Sequence, residues 1–177
     1  QAAAAVPGER AVAVQGGTGT TRHIDAMSRA LVDDTAEKPR LVHRLDRDTT
    51  GVLVLAKTVG SANQLGQLFR SRGLDKIYWA VTLGVPHPVA GDIRGWMIKS
   101  AGPGSDKEKM RTAEQNEKGA VHALTLYSVV QNAGSKAAWV ALKPEPGRTH
   151  QLRFHMAELG TAILGDHKYT CDREVPA

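Results

Sequence analysis

The chain has 177 residues, of which 41% are hydrophobic and 23% are charged, so it can bury a sizeable core and its composition excludes wholesale disorder. The net charge of +5 and the isoelectric point near 9.5 suit a partner that carries phosphates, although many basic proteins bind no nucleic acid. The single cysteine, Cys171, excludes an internal disulfide and argues against a thiolate zinc site, and no apolar run reaches membrane-spanning length.

The first half of the chain alternates short apolar segments with polar turns. An alanine-rich lead-in precedes a glycine-rich turn at residues 16–19. Apolar residues at helical spacing then predict a helix over residues 23–33. The apolar run that begins at Gly51 predicts a buried strand over residues 51–57, and a second helix is predicted over residues 61–72.

The second half is richer in strands. It predicts a strand at 76–83, a proline-containing connector at 84–91, a long mobile loop at 100–119, a hairpin of strands 120–130 and 136–142, and a helix at 149–159. Hairpins dominate, so we expect an α+β fold with a mixed, largely antiparallel sheet flanked by helices, rather than a doubly wound parallel sheet. We expect residues 1–177 to form a single domain, incomplete at both ends.

The most informative stretch is residues 43–51, here called the Asp46 segment, which places a carboxylate in a polar turn directly before an apolar run. Such a position suits a catalytic group, because rigid backbone holds it while the turn leaves it open to a substrate. The pattern alone favours a plainer interpretation, in which Asp46 or Asp48 only caps backbone amides of the turn.

The sequence argues against two other interpretations of the Asp46 segment. A calcium-binding loop starting at Asp46 needs a glutamate at its twelfth position, where this chain has Lys57. The segment also resembles a kinase catalytic loop, but its aspartate is displaced by one position and the other kinase motifs are missing.

A second basic stretch, residues 147–155, crowds arginines and histidines at the start of the last predicted helix. The plain interpretation is a solvated basic face with His155 partly buried. The functional interpretation is a phosphate contact together with a guanidinium aimed at a catalytic carboxylate. His150 and His155 are five residues apart, so they do not share a helix face as paired zinc ligands would, and we expect no metal site.

Three motifs, which occur in the same order as in a known family, give the chain a family resemblance. The sequence His-Arg-Leu-Asp at 43–46, with Gly51 and Lys57 after it, resembles the catalytic motif of the RluA-type ribosomal RNA pseudouridine synthases. The sequence Lys-Ile-Tyr-Trp-Ala at 76–80 is similar to the family's middle motif. The sequences at 147–153 and 165–169 look like its closing motif, and the chain most resembles the mitochondrial branch.

The resemblance implies a pseudouridine synthase fold with a central RNA-binding cleft. It also implies a reaction in which Asp46 acts on the ribose of a flipped-out uridine. Tyr78 matches the family's active-site tyrosine, and Arg153 matches the arginine that pairs with the catalytic aspartate. No metal, nucleotide or other cofactor is implied. The further residues expected to support or contact RNA are His43, Arg44, Arg47, Thr50, Arg148, His150, Gln151 and Leu152, the last as an apolar wall of the base pocket.

The resemblance further implies large-subunit ribosomal RNA as the partner, with ribosomal proteins or assembly factors as additional candidates and no membrane partner. It implies the mitochondrial matrix as the compartment, with a bacterial-type cytoplasm as the alternative. The chain departs from the family pattern at 6–8, where a lysine is missing, at Pro146, where a threonine is usual, and after Tyr169, where the last family strand is missing.

Two alternatives to an active enzyme stay open. One is a catalytically silent relative that acts in ribosome assembly or as an RNA chaperone, and the other is a generic basic RNA-binding module. The presence of Asp46, Tyr78 and Arg153 together favours the active enzyme over the silent relative, and the ordered set of motifs argues against the generic module.

Overall fold

The computed structural model describes residues 14, 23–33, 37–46, 49–71, 73–100 and 109–174. The chain divides into two compact units, residues 1–74 and residues 75–177, which are described one at a time. The predicted alanine-rich lead-in and the glycine-rich turn at 16–19 lie outside the described residues. The expected single domain stays a prediction.

The first unit is built from short elements. Helix α1 (Ile24–Met27) continues into a 3-10 helix (Ser28–Leu31), which confirms the predicted helix except for one residue at its start and two at its end. Strands β1 (Arg40–Leu41) and β2 (Leu55–Ala56) form a two-stranded antiparallel sheet.

The predicted strand at 51–57 was therefore wrong over most of its length, since only Leu55 and Ala56 pair with another strand. The apolar run is also less buried than the pattern suggested, because Val52 is 66% exposed. An apolar run becomes a strand only when another segment lies alongside to accept its backbone hydrogen bonds.

Helix α2 (Val59–Arg70) is the longest helix among the described residues and matches the predicted one, although it begins two residues earlier. Thr58 caps its N-terminus, because its hydroxyl accepts from the Ser61 backbone N–H at 3.1 Å. In return the Ser61 hydroxyl accepts from the Thr58 N–H at 3.1 Å. This reciprocal cap satisfies two amides that the helix itself leaves without partners.

The second unit is a five-stranded antiparallel sheet in the order β3-β7-β6-β4-β5. Its strands are β3 (Tyr78–Leu83), β4 (Ala90–Lys99), β5 (Met110–Ala113), β6 (Val121–Ala133) and β7 (Ala137–Glu145). Helix α3 (Gln151–Glu158) follows β7 and contacts β5, β6 and β7. The predicted hairpin, the predicted last helix and the α+β class with a largely antiparallel sheet are confirmed.

Two strands of this sheet were missed. Strand β4 was assigned to no element, and β5 lies inside the stretch predicted as a continuous loop at 100–119, so that prediction was wrong at Met110–Ala113. Both strands give a weak alternation of polar and apolar residues, because β4 contains two glycines and β5 is only four residues long. Residues 101–108 lie outside the described part, so the mobility expected for the rest of the loop stays a prediction.

The core of the second unit lies between the sheet and helix α3. Every second residue of β7 is buried, as expected for a strand with one face turned to the core. Val140 and Leu142 of β7 and Met156 of α3, each at most 1% exposed, belong to one hydrophobic cluster. This packing holds the start of α3, where the predicted basic residues lie, against the middle of the sheet.

Candidate active site

The Asp46 segment forms a turn in the first unit. The main-chain carbonyl of Asp46 accepts a hydrogen bond from the Thr49 N–H at 3.0 Å, so the backbone closes this turn without using the Asp46 carboxylate. Asp46 is half-buried and Thr50 is exposed. Gly51 ends the turn with φ of 154°, a conformation that side chains disfavour. Arg47 and Asp48 lie outside the described residues, so the predicted role of Arg47 stays a prediction.

His43 attaches this segment to its surroundings. Its Nε2 atom accepts a hydrogen bond from the Val54 N–H at 2.9 Å, and its ring stacks on Phe69 of α2 with centroids 4.2 Å apart and planes 13° from parallel. His43 therefore holds the two ends of the turn together and packs them on α2. This contact gives His43 a positioning role, and the predicted RNA contacts of His43 and of the exposed Arg44 stay predictions.

An open cleft of about 850 Å³ in the first unit is lined by residues 37–44 and Asp25. Its charged side chains form two pairs, Lys38–Asp25 at 3.3 Å and Arg40–Glu37 at 3.7 Å. His43 and Arg44 line the same cleft. The Asp46 segment thus emerges from one wall of a concave surface that carries both signs of charge.

In the second unit, Gln151 fixes the turn that precedes α3. It is 2% exposed, and its amide nitrogen donates to the Leu124 carbonyl at 2.8 Å and the Thr125 hydroxyl at 3.0 Å. Its amide oxygen accepts from the Arg148 N–H at 2.9 Å. Gln151 thereby ties this turn to β6. The predicted RNA contacts of Gln151 and of the exposed Arg148 stay predictions.

Arg153 forms a side-on ion pair with Asp166, a contact that the sequence analysis did not foresee. Its Nε lies 2.6 Å from Asp166 Oδ2 and its Nη2 lies 2.8 Å from Asp166 Oδ1. The Arg153 guanidinium also lies over the ring of Tyr169, 5.2 Å from the centroid. The sequence signal for this contact was the closing motif at 165–169, which includes Asp166. The family resemblance assigned no role to that residue.

Asp166 is held ionised despite its surroundings. Burial raises the pKa of this carboxyl, but the Arg153 hydrogen bonds and the Tyr169 and Lys168 backbone N–H groups outweigh burial, so the pKa lies below its usual value. Those two N–H groups donate to Oδ1 at 3.0 Å and 2.9 Å. Asp166 is therefore a fixed negative charge at neutral pH.

Tyr169 links three segments around this pair. Its hydroxyl accepts from the Met110 N–H of β5 at 2.7 Å and lies 3.0 Å from Nδ1 of His150. His150 is the non-glycine residue with positive φ among the described residues, at 52°, and it precedes the first residue of α3. We call Arg153, Asp166, Tyr169 and His150 the Arg153 cluster.

His155 points to the opposite side of α3 from solvent and is 3% exposed. Its Nδ1 lies 2.8 Å from the hydroxyl of Thr125. Burial, with a smaller contribution from nearby His122, lowers the pKa of His155 to about 4, so its ring is neutral at physiological pH. The plain interpretation of this histidine, a buried core residue, is the one that its environment supports.

Tyr78 and Leu152 pack against one hydrophobic cluster, the one centred on Leu142 and Met156. Tyr78 begins β3 and pairs in register with Leu142, which places its ring on the sheet face that α3 covers. The second unit therefore contains Tyr78 and Leu152 on one hydrophobic cluster and Arg153 and His150 in the Arg153 cluster, with Gln151 and Arg148 in the turn before α3. The first unit groups His43, Arg44, Asp46 and Thr50, and the meeting of Asp46 with Tyr78 and Arg153 stays a prediction.

Among the described residues, no group of three or more histidine, cysteine, aspartate or glutamate side chains is placed to hold a metal ion. The described helices include none that is both long enough and apolar enough to cross a bilayer.

With the two halves of the candidate site in view, the chain was compared with known proteins. Residues 9–158 match the sequence profile of the family described as RNA pseudouridylate synthase. The chain belongs to this family. The resemblance drawn from the three motifs is thereby confirmed, and most of both units lies inside the matched range.

Relatives come from mitochondrial and bacterial branches of the family. The chain is 37% identical over 175 residues to RNA pseudouridine synthase 4, mitochondrial, of Arabidopsis thaliana, a match that covers 89% of this chain and 37% of that protein. It is 35% identical over 175 residues to human pseudouridylate synthase RPUSD4, mitochondrial, with coverages of 89% and 46%. It is 33% identical over 165 residues to ribosomal large subunit pseudouridine synthase C of Rickettsia bellii, with coverages of 93% and 53%.

Among solved structures, human RNA Pseudouridylate Synthase Domain Containing 4 superposes with a TM-score of 0.76 at 33% identity, covering 96% of this chain and 68% of that one. The pseudouridine synthase fold is thereby confirmed. The chain spans between about a third and a half of the length of the three relatives just named.

Proposed function

We propose that this pseudouridylate synthase isomerises a uridine in structured RNA to pseudouridine and that Asp46 is the residue that acts on the ribose. The observation that carries the proposal is the Asp46 segment itself, a family motif whose turn is closed by backbone and anchored by His43. This arrangement does not use the Asp46 carboxylate to close the turn. A catalytic carboxylate needs this combination of fixed backbone and available side chain.

The reaction moves one bond and needs no external reagent. The target uridine leaves its stack, because the reacting atoms are inaccessible within it. Asp46 either attacks C1′ or removes the C2′ proton, and the bond from C1′ to N1 breaks. The uracil turns, C5 bonds to C1′, and the C5 proton is lost while N1 regains one, so substrate and product are isomers.

Arg153 and Tyr78 complete the proposed site. The guanidinium of Arg153 pairs with the Asp46 carboxylate and keeps it ionised and oriented. The ring of Tyr78 stacks on the uracil, and its hydroxyl moves the final proton. Leu152 forms an apolar wall beside the base, which suits its packing against the same hydrophobic cluster as Tyr78.

The proposed substrate is large-subunit ribosomal RNA in mitochondria. Two of the relatives carry the word mitochondrial in their names and a third is a ribosomal large subunit synthase. The net charge of +5 and the exposed Arg44 and Arg148 supply cations for RNA phosphates. Counterion release then makes RNA binding weaken steeply as salt is raised.

The test compares the wild-type protein with Asp46→Asn on ribosomal RNA. Pseudouridine has the mass of uridine, so it is detected by carbodiimide labelling followed by reverse transcription, which stops at the modified base. We expect wild type to produce a stop and Asp46→Asn to lower the rate of its appearance at least about a thousandfold. Asp33→Asn, which changes an exposed aspartate of the same unit, serves as the matched control and keeps wild-type activity.

An equal signal from wild type and Asp46→Asn would remove Asp46 from the mechanism. If the wild-type protein binds pre-ribosomal RNA tightly and leaves no mark, the enzymatic proposal is wrong and a role in ribosome assembly replaces it.

A further inference from the structure

We propose that Asp166 is a positioning residue for the reaction, which orients the guanidinium of Arg153 toward the reacting carboxylate. The inference rests on the proposed function, because it assigns Arg153 a task in that site. It goes beyond that function by naming the group that makes the task possible.

The first support is the geometry of the pair. Asp166 receives hydrogen bonds from Nε and Nη2 of Arg153, at 2.6 Å and 2.8 Å. A side-on pair with two bonds fixes both the plane of a guanidinium and its rotation within that plane. Once Nε and Nη2 are engaged, the direction in which Nη1 points is set as well.

The second support is that Asp166 itself cannot swing. Its Oδ1 atom also accepts hydrogen bonds from the backbone N–H groups of Lys168 and Tyr169, at 2.9 Å and 3.0 Å. The carboxylate is thus locked to the turn that follows it, and its side chain is only 4% exposed. Orientation passes from the turn to the carboxylate and from the carboxylate to the guanidinium.

Tyr169 restrains the same guanidinium from its flat side. The ring lies 5.2 Å from the guanidinium carbon, and its hydroxyl is anchored by the Met110 N–H and by His150. Arg153 is therefore bounded along one edge by a carboxylate and on one face by an aromatic ring. Its side chain is 21% exposed, so one part of it still reaches the surface of the unit.

The second unit offers a comparison pair that shows what is unusual here. Arg94 and Asp92 also make an Nε-to-carboxylate bond, at 2.7 Å, but their side chains are 66% and 37% exposed and both lie on strand β4. An exposed pair of this kind contributes little to stability. A buried pair loses the hydration of both ions, so stability alone gives little reason to keep one, whereas fixing the direction of a charged group does.

RNA gives a further reason for such a restraint. An unrestrained arginine on a basic surface pairs readily with phosphate, since guanidinium and phosphate form two parallel hydrogen bonds. Asp166 competes with phosphate for Nε and Nη2. Asp166 therefore prevents Arg153 from pairing with a phosphate when RNA binds nearby.

The main test is the variant Asp166→Asn. Asparagine keeps the oxygen that accepts from Lys168 and Tyr169, so the turn is retained, but it places an NH₂ group opposite Nε of Arg153. We expect the single-turnover rate at saturating RNA to fall about 30-fold, within the range for groups that orient a catalytic group, while the dissociation constant for RNA changes less than about threefold. Asp92→Asn is the matched control and keeps both values.

A double-variant cycle distinguishes positioning from general support of the fold. Arg153→Lys keeps the charge but cannot form the side-on pair. If Asp166 acts through Arg153, adding Asp166→Asn to Arg153→Lys lowers the rate by less than about threefold more. Losses that multiply in the double variant would overturn the proposal, and so would an unchanged rate in Asp166→Asn.

A spectroscopic measurement checks the restraint without any turnover. In the wild-type protein labelled with ¹⁵N, we expect Nε–H of Arg153 to give a slowly exchanging signal that Asp166→Asn shifts and that Asp92→Asn leaves in place. A signal identical in wild type and Asp166→Asn would overturn the restraint.

A wild-type protein that forms no pseudouridine would overturn both the proposed function and the positioning role. Full activity in Asp46→Asn would overturn the role of Asp46 and, with it, the orientation of Arg153 toward that carboxylate. An active wild-type protein with an unchanged rate in Asp166→Asn would overturn the positioning role alone.

Discussion

The Asp46 segment and the Arg153 cluster carry the two halves of the proposed site, and they are built in different ways. In its described residues, the Asp46 segment follows a two-residue strand, has a backbone hydrogen bond from the Thr49 N–H to the Asp46 carbonyl, and is anchored by His43. The Arg153 cluster lies on a helix packed against a five-stranded sheet, with a bidentate ion pair and a buried tyrosine.

Because of this difference, we expect substitutions in the two regions to affect the reaction and the free energy of unfolding differently. Changes to the Asp46 segment remove few buried contacts, so they should alter the reaction while the fold persists. Changes around the Arg153 cluster reach a core in which the side chains interlock, so they should alter stability as well. A substitution in the Asp46 segment that strongly lowers the free energy of unfolding, or one around the Arg153 cluster that leaves it unchanged, would contradict this difference.

The largest effect should come from the core between the sheet and α3 in the second unit. Leu142→Ala removes a side chain that is 1% exposed between the sheet and α3, and we expect the free energy of unfolding to fall by about 3 kcal/mol. Val52→Ala, in the apolar run after Asp46, removes a side chain that is 66% exposed and should cost less than about 0.5 kcal/mol. Urea denaturation measures both, and equal losses would contradict the difference between the regions.

The pH dependence of stability sharpens the same difference. The pKa of His155 is about 4 in the folded protein and close to its ordinary value in the unfolded chain, so the unfolded chain binds the additional proton between these values. The stabilisation that comes from burying neutral His155 is fully present above pH about 6.5 and is lost as the pH falls toward 4. We expect this group to account for about 2 kcal/mol of the loss between pH 7 and pH 4.5.

His155→Gln should flatten the stability profile in that window, and His87→Gln, at an exposed histidine of the same unit, should leave its slope unchanged. A profile of the same slope in His155→Gln and wild type would mean that the histidine titrates normally. Asp166, whose pKa is lowered, loses its contribution only as the pH falls below about 4, so the two acid losses occupy different pH ranges.

The smallest effect concerns the helix on which the Asp46 segment packs. Thr58→Ala removes the cap of α2 and should cost about 1 kcal/mol, detected as faster hydrogen exchange of the first α2 amides. Ser71→Ala, at the exposed far end of the helix, should change exchange there alone. Unchanged exchange at the first α2 amides in Thr58→Ala would contradict the capping role of Thr58.

The fold was predictable where local signals agreed with the final contacts. Helix α2 was found within two residues because its apolar spacing is regular, and the hairpin of β6 and β7 was found because both strands alternate clearly. The strand after Asp46 was overpredicted, since hydrophobicity says nothing about whether a partner strand is present.

The candidate site was predictable as a set of residues and less so as a set of contacts. The motifs named Asp46, Tyr78 and Arg153, but nothing in their spacing showed that Asp166, thirteen positions after Arg153, would bind its guanidinium. That contact depends on how the chain returns after α3 through a turn in which Lys168 and Tyr169 face the carboxylate. Contacts of this kind are set by tertiary packing and leave no periodic trace in a single sequence.

His150 combines two demands at one position, and they can be met separately. Its backbone adopts φ of 52°, which glycine and asparagine tolerate and β-branched residues resist, while its ring reaches the Tyr169 hydroxyl. A saturation library at position 150 should therefore divide into two classes. Glycine and asparagine variants would fold well without the ring, whereas valine and isoleucine variants would be recovered mainly among insoluble clones.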